Sequence, residues 1–189
     1  CAAPGGKSAV LASYAEQSGS SLVANEVNSG RVELVRRSIA PWSNATVTNR
    51  DGREFGEKSE QFDRILVDAP CSGLGALRRR PEARWRKTPA DIASLTTLQE
   101  ELLTSAMRAL KPGGIVAYVT CSPHLAETRS VVNSALKKHS DMAELDTRSI
   151  LATVTRHPIE SNESLLSVQL WPHAHNTDAM FIARLQKTQ

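Results

Sequence analysis

The sequence lacks any apolar run that approaches the roughly 20 residues needed to cross a bilayer, and it lacks the basic start and apolar core of a signal peptide. On this basis we expect a cytoplasmic protein with no membrane partner. Internal repeats and low-complexity tracts are also missing, which argues against repeat and disordered architectures. The 189 residues suit one domain with its own core, spanning residues 1–189.

Cysteine is scarce. The three cysteines, Cys1, Cys71 and Cys121, form no C-x-x-C pair and no zinc-ligand spacing. Such an odd and sparse set favours thiols over a disulfide framework, and it argues against a structural metal site. Any one of them could be a buried structural residue. Their surroundings in the sequence therefore have to decide between packing and chemistry.

Two nucleotide-binding motifs are absent. The sequence has no G-x-G-x-x-G, which disfavours a nicotinamide-dependent oxidoreductase, and its opening CAAPGGK does not have the spacing of a Walker loop. That opening predicts a turn whose backbone can approach a ligand before a helix over 8–17. Such a turn normally follows a strand and none precedes it, so we expect an N-terminally truncated domain without its first strand.

Short apolar runs alternate with amphipathic stretches along the rest of the chain. This spacing predicts strands over 21–25, 45–48, 63–67 and 115–119, and helices over 28–39, 90–110 and 126–138. Residues 141–163 are polar and irregular, which predicts a loop, whereas 165–171 and 179–185 predict a terminal antiparallel pair. The alternation is typical of an α/β doubly wound domain with a mostly parallel sheet.

Chemically reactive side chains follow several predicted strands. Asp68 and Cys71 lie in DAPCSG after one strand, and Cys121 lies in TCS after another. Because ligands bind at the carboxyl ends of strands in an open parallel sheet, we expect the two thiols and the carboxylate to converge. Glu26 ends an earlier strand about 20 residues after the glycine turn. An acid at this position could accept hydrogen bonds from ribose hydroxyls, or it could equally be a helix-capping or solvent-facing acid. Asp51 belongs to an Asp-Gly turn, or it contacts a bound base.

Positive charge is concentrated in one segment, although the net charge is only +3. The segment contains Arg78, Arg79, Arg80, Arg84, Arg86 and Lys87. It is either a solvated loop or a contact for nucleic-acid phosphates. Trp85 could stack on a base, but packing into the core is the interpretation that we favour. His173, His175 and Asp178 could be drawn as a metal site, but a turn is the better account, and we predict no metal.

These segments together resemble the catalytic domain of the Sun/Fmu-type 16S ribosomal RNA (cytosine-5)-methyltransferases of the NOL/NOP/Sun superfamily. The matching segments are CAAPGGK at 1–7, Glu26, RDG at 50–52, DAPCSG at 68–73, RRRPEARWR at 78–86, LKPGG at 110–114 and TCS at 120–122. They occur in family order across nearly the whole chain. The combination of DAPCSG and TCS is the specific part of the resemblance.

The resemblance implies a Rossmann-like fold and S-adenosylmethionine as cofactor. Glu26 would then bind the ribose hydroxyls, Asp51 would lie on the adenine side, and Asp68 would lie beside the sulfonium. The methionine and ribose portion would be wrapped by Cys1, Ala2, Ala3, Pro4, Gly5, Gly6 and Lys7. Glu26 stands where bacterial ribosomal enzymes often have Asp, and either carboxylate can accept both hydroxyls.

The resemblance also implies a covalent reaction on cytosine. Cys121 would add to carbon 6, Asp68 would bond N3 and the exocyclic amine, and Cys71 would assist loss of the carbon 5 proton and release. The DNA cytosine-5 methyltransferases use the Pro-Cys thiol as nucleophile instead, and if this chain followed them, Cys71 and Cys121 would exchange roles. The second cysteine, in TCS, favours the RNA arrangement. We expect the protein to be a monomer and its partner to be RNA, with ribosomal RNA as the favoured substrate. A transfer RNA enzyme and a non-catalytic RNA-binding fragment are the alternatives.

Overall fold

A computed structural model of the chain describes residues 1–156, 159 and 165–188, which form two compact units, Cys1–Phe55 and Gly56–Gln189. The first unit contains α1 (Gly6–Gln17), β1 (Leu22–Asn25), α2 (Ser29–Ile39) and β2 (Ala45–Thr48). The second contains β3 (Phe62–Asp68), α3 (Ala83–Arg86), α4 (Pro89–Ala109), β4 (Leu110–Thr120), α5 (Arg129–Lys138), β5 (Met142–Leu145), α6 (Thr147–Val154), β6 (Val168–Gln169), α7 (Pro172–His175) and β7 (Phe181–Lys187). The predicted alternation of strands and helices is confirmed.

The first unit is built on two parallel strands. β1 pairs with β2 from Leu22 opposite Ala45 to Asn25 opposite Thr48. The apolar spacing of α2 turns one face inward, and its Val35 and Ile39 pack against the strands in a small core. This strand–helix–strand connection brings the carboxyl ends of β1 and β2 to the same edge of the sheet.

The second unit contains a mixed sheet with the strand order β3–β4–β7–β5. β3 and β4 are parallel, whereas β7 is antiparallel to β4, β5 and β6. The predicted mostly parallel sheet with a terminal antiparallel pair is therefore confirmed, because β3, β4, β5 and β6 run in one direction and β7 is the described strand of this unit that opposes them. β7 lies between β4 and β5 in the sheet and also pairs with the short β6.

The prediction of a loop over 141–163 is wrong for most of residues 142–154, whereas the described residues 155, 156 and 159 belong to no helix or strand. Residues 142–145 form β5 at the edge of the sheet, and 147–154 form α6, whose first turn is capped by the side chain of Asp146. Both are short, and only Met142 and Thr147 in them are fully buried, so the apolar periodicity is weak. Residues 157, 158 and 160–163 lie outside the described residues.

α4 is the long amphipathic helix that the sequence predicts. Thr88 and Asp91 form a capping box at its start, and its buried face includes Leu103 and Met107. The helix ends at Ala109, and the LKPGG segment is the beginning of β4. None of the described helices, α4 included, is long and apolar enough to span a membrane.

Candidate functional site

The two cysteines of the DAPCSG and TCS segments lie together in the second unit. The Sγ atoms of Cys71 and Cys121 are 3.2 Å apart. The parallel register explains why, because Asp68 lies opposite Val119 and the amide of Ala69 donates to the Val119 carbonyl. Both loops thus leave neighbouring strands at one edge of the sheet, and the structure brings the two thiols within contact.

Asp68 is the last residue of β3 and is partly buried. It leaves the sheet at the same edge as Cys121, which follows β4 directly. The predicted placement of a carboxylate at the end of the neighbouring strand is thus confirmed, whereas its contact with a base stays a prediction.

Electrostatics distinguish the two thiols. The hydrogen bond with Cys121, burial and the charge of Cys121 all raise the pKa of Cys71 above its ordinary value. Arg79 is a cation whose electrostatic environment includes the second thiol, that of Cys121. The pKa of Arg79 is raised first by its hydrogen bond to Asp178, then by the charge of Asp178, and least by the charge of Cys121. A nearby cation stabilises a thiolate.

A buried carboxylate that the sequence did not single out joins the two cysteine loops. The first cysteine loop follows β3 and carries Cys71, and the second follows β4 and carries Cys121. Glu127 has no exposed surface. Its Oε1 accepts hydrogen bonds from the amide of Ser72 at 2.7 Å and from Nε2 of Gln99 at 3.2 Å. Its Oε2 accepts from the hydroxyls of Ser72 at 2.5 Å and Ser122 at 2.6 Å. Each serine directly follows one of the two cysteines.

The glycine-rich turn and Glu26 form a second cluster, in the first unit. The amides of Ala3 and Asn28 donate to the two carboxylate oxygens of Glu26, each at 3.0 Å. Burial alone would raise the pKa of Glu26, but these two hydrogen bonds, together with smaller contributions from the positive charges of the amino terminus and Arg31, lower the pKa. The turn is thereby fixed to the end of β1 by an ionised acid.

Gly5 and Gly6 give the turn its shape and its open side. Gly5 has φ +116°, and a Cβ there would meet Ser38 at 2.4 Å, so the turn packs directly on α2. A Cβ at Gly6, the first residue of α1, would have no atom within 4 Å. The start of α1 therefore leaves room for a ligand beside the turn.

Asp51 follows β2, next to the strand that ends before Glu26. Its carboxylate accepts a hydrogen bond from the amide of Arg53 and pairs with the Arg53 guanidinium at 2.6 Å, which lowers the pKa of Asp51. The two acids thus follow neighbouring parallel strands at one edge, as predicted. The pairing with Arg53 also supports the simpler interpretation of Asp51 as a turn residue.

The basic segment divides into two parts. Arg78 and Arg79 both pair with Asp178, whose side chain is largely buried. Arg80, Arg84, Arg86 and Lys87 are exposed. Trp85 is 80% exposed, so the prediction that it packs into the core is wrong. α3 is a single turn with no buried residue, and it offers the indole no surface to pack against.

His173, His175 and Asp178, the residues that could be drawn as a metal site, each have other partners. Asp178 pairs with the two arginines, and Nδ1 of His175 accepts a hydrogen bond from the amide of Trp171 at 2.9 Å. The ring of His173 lies beside that of Trp171. Across residues 1–156 and 165–188, no group of three or more His, Cys, Asp and Glu side chains could hold a metal ion.

Comparison with known proteins gives consistent matches. Residues 1–186 match the model of the family described as 16S rRNA methyltransferase RsmB/F. A Mycobacterium tuberculosis (strain H37Rv) protein, Rv1407, which carries the word methyltransferase in its name, is 49% identical over 99% of this chain and 39% of its own length. Ribosomal RNA small subunit methyltransferase B of Photorhabdus laumondii is 37% identical over 99% of this chain and 41% of its own length.

Solved structures agree with the fold. The structure of NSun6 from Pyrococcus horikoshii with SFG has a TM-score of 0.83 and 25% identity, covering 100% of this chain and 47% of that one. The Rossmann-like α/β fold predicted from the sequence is thus confirmed. This chain spans about two fifths of the length of the curated relatives, 39% and 41%.

Proposed function

The chain belongs to the 16S rRNA methyltransferase RsmB/F family, and from this we propose that the full-length protein methylates carbon 5 of a cytosine in ribosomal RNA. The observation that carries the proposal is the contact of Cys71 with Cys121, 3.2 Å between sulfurs, at the ends of two adjacent parallel strands. Carbon 5 of cytosine is too weakly nucleophilic to accept a methyl group directly. A thiolate that adds to carbon 6 makes carbon 5 enamine-like and splits one difficult step into two easier ones.

Cys121 is the proposed nucleophile. The charge of Arg79 acts on its thiol, and the Cys71 thiol is positioned to donate a hydrogen bond to it. Both interactions favour the thiolate, which is the attacking form. Asp68 is proposed to bond the ring N3 and the exocyclic amine, and so to stabilise charge on the base during the addition.

Cys71 is proposed to act second, as the base that removes the carbon 5 proton. Its pKa is raised first of all by its hydrogen bond with Cys121, then by burial. Once Cys121 is bonded to carbon 6, it can no longer form a thiolate, and the largest cause of the raised pKa is removed. Cys71 then becomes easier to ionise at the stage when a base is needed.

S-adenosylmethionine is the proposed cofactor, and when bound it supplies the methyl group. The open start of α1 at Gly6 fits a ligand beside the turn of residues 1–7. Glu26 and Asp51 follow neighbouring parallel strands. This is the placement expected if Glu26 binds the ribose hydroxyls and Asp51 contacts the adenine. Each oxygen of Glu26 accepts one backbone amide and keeps a lone pair for a hydroxyl.

RNA is proposed to contact the exposed part of the basic segment. Arg80, Arg84, Arg86 and Lys87 are available to phosphates, and the exposed Trp85 offers a stacking surface. The target cytosine must be unpaired or swung out, since carbon 6 is shielded in a stack. A ribosomal RNA substrate would place the enzyme in the cytoplasm.

The test is covalent trapping with the full-length protein, ribosomal RNA and S-adenosylmethionine. Cys71→Ala should accumulate a protein–RNA adduct on a denaturing gel, because the base cannot be released. Cys121→Ala and the double variant should form none. An adduct with Cys121→Ala would exchange the two roles, and a wild-type protein that leaves no 5-methylcytosine in ribosomal RNA would overturn the proposal. Transfer RNA, tested in parallel, distinguishes the alternative substrate, and RNA binding without methylation distinguishes a binding fragment.

A further inference from the structure

We propose that Glu127 is a positioning residue that sets the separation of the Cys71 and Cys121 thiols. Its importance for catalysis rests on the proposed function, whereas its effect on the thiol geometry does not. Its carboxylate accepts hydrogen bonds from Ser72, Gln99 and Ser122. It acts through the serines that follow the two cysteines.

The carboxylate joins two loops that are distant in sequence. Ser72 donates through both its amide and its hydroxyl, which fixes the backbone immediately after Cys71. Ser122 donates through its hydroxyl to the same oxygen, Oε2, which fixes the residue after Cys121. Because one oxygen receives both hydroxyls, the two loops cannot separate without breaking a buried hydrogen bond.

Gln99 of α4 holds the other side of the first loop. Its Nε2 donates to the carbonyl of Pro70 at 2.8 Å and to Oε1 of Glu127 at 3.2 Å. Cys71 is thus flanked by two residues, Pro70 and Ser72, that both lead to the same carboxylate. The backbone is held on both sides of Cys71, and this fixes the position of its thiol.

Glu127 is itself held rigidly. Its carbonyl accepts a hydrogen bond from the buried hydroxyl of Tyr118 at 2.8 Å, and its amide donates to the carbonyl of His124 at 3.0 Å. Tyr118 lies in the middle of the core and Glu127 has no exposed surface. A fixed, fully buried acceptor with four donors is costly to disrupt, since each donor would lose a partner that water cannot replace.

The groups that donate hydrogen bonds to Glu127 explain why a carboxylate suits this position. All four hydrogen bonds to it come from neutral groups that donate, and a carboxylate accepts on both oxygens. A glutamine at this position keeps one accepting oxygen, and the two serine hydroxyls can rotate to accept from its amide. An alanine leaves every donor without an acceptor. Glutamine should therefore retain the loop geometry, whereas alanine should lose it.

The test measures the thiol separation directly in the full-length protein, without substrate. Phenylarsine oxide forms two As–S bonds with one suitably spaced pair of thiols and releases water, so its affinity reports on geometry. Bound arsenic is assigned to Cys71 and Cys121 by peptide mapping. Glu144→Ala is the matched control, because it removes a largely buried carboxylate whose ion-pair partner is Arg129 and not one of the Ser72, Gln99 and Ser122 donors that bind Glu127.

We expect Glu127→Ala to weaken arsenoxide binding by about tenfold or more, because thiols that are no longer held at the required separation must be ordered when they bind arsenic. Glu127→Gln should stay near the wild-type affinity, and Glu144→Ala should leave it unchanged even where it lowers the melting temperature. If Glu127→Ala does not fold, Ser122→Ala is compared with Ser167→Ala, another buried serine. Unchanged arsenoxide affinity in the folded Glu127 or Ser122 variant would overturn the proposal.

A kinetic measurement links the geometry to catalysis. Glu127→Ala should lower kcat while the KM for RNA stays within about twofold, because the carboxylate is placed to hold thiols and not substrate. A wild-type protein without methylation would refute the proposed function but leave the arsenoxide comparison valid. An active enzyme in which all variants bind arsenoxide equally would refute the positioning role alone.

Discussion

The amide of Gly75 donates a hydrogen bond to the carbonyl oxygen of Cys121 at 2.9 Å, and the carbonyl of Gly75 accepts one from the amide of Ala179 at 2.9 Å. A Cβ on Gly75 would lie 2.8 Å from the Cys121 oxygen and 2.0 Å from the Ala179 oxygen. The first cysteine loop therefore packs backbone against backbone on the second. This approach is possible only for glycine.

Replacing Gly75 by alanine should destabilise the protein and displace Cys121. Both clashing atoms belong to the backbone, so the loops have to move apart, at a cost of about 1–3 kcal/mol or more. We expect a lower melting temperature and slower methylation. Gly6→Ala, where a Cβ meets no atom within 4 Å, is the control for stability only. Equal melting temperatures for the two variants would contradict the packing argument.

Mild oxidation should join Cys71 and Cys121. Their sulfurs are 3.2 Å apart, and a disulfide of about 2.05 Å requires only a small movement. Diamide should take up the two thiol hydrogens, leave one disulfide in the peptide map and abolish methylation, and dithiothreitol should restore it. In Cys71→Ser the internal disulfide should not form. A disulfide to Cys1 in the wild type, with both other thiols intact, would contradict this prediction.

The sequence could predict the strand ends that carry Cys71 and Cys121, because a buried strand followed by small residues is a local pattern. Glu127 could not be predicted in the same way. A glutamate near the start of a helical segment usually faces solvent, and its burial depends on long-range contacts with Ser72 and Gln99. Nothing in the spacing of the TCS segment distinguishes it from an exposed acid.

The predictions for Trp85 and β5 are wrong in opposite ways. Trp85 is expected to be buried and is exposed, whereas the residues of β5 are expected to form a loop and form a strand. An indole is expected in a core, but the one-turn helix that carries Trp85 buries none of its residues. β5 has little apolar character, but its backbone pairs with β7 along four residues. In both cases the neighbouring elements decide the structure, and the local composition is misleading.

The two parts of the basic segment should respond differently to mutation. Replacing both Arg84 and Arg86 by alanine should weaken RNA binding and lower the slope of log affinity against log salt by about 0.7–0.9 for each phosphate that is no longer neutralised. The melting temperature should not change, because both side chains are exposed. Arg79→Ala should instead lower the melting temperature, since Asp178 loses a partner. An unchanged salt slope in the double variant would argue against an RNA contact there.

Glu26 should make the folded protein sensitive to acid. Its pKa is lowered in the folded state, so the stability it contributes is present above its ordinary pKa of 4.5 and is lost as the pH falls through the lower, folded value. In Glu26→Gln, one backbone amide faces an NH₂ group, because a glutamine side chain has a single accepting oxygen. We expect Glu26→Gln to lower the free energy of unfolding by about 1–3 kcal/mol at neutral pH.

The loss should shrink as the pH falls, because the wild type gives up the same hydrogen bonds when Glu26 is protonated. Denaturant unfolding of the full-length protein at several pH values measures this convergence, and Glu16→Gln, at an exposed position of α1, is the control. Cofactor binding gives an independent measure. If Glu26 also receives ribose hydroxyls, Glu26→Gln should weaken S-adenosylmethionine binding at pH 7 while Glu16→Gln does not. A stability difference that stays constant with pH would show that the ionised carboxylate does not fix the turn.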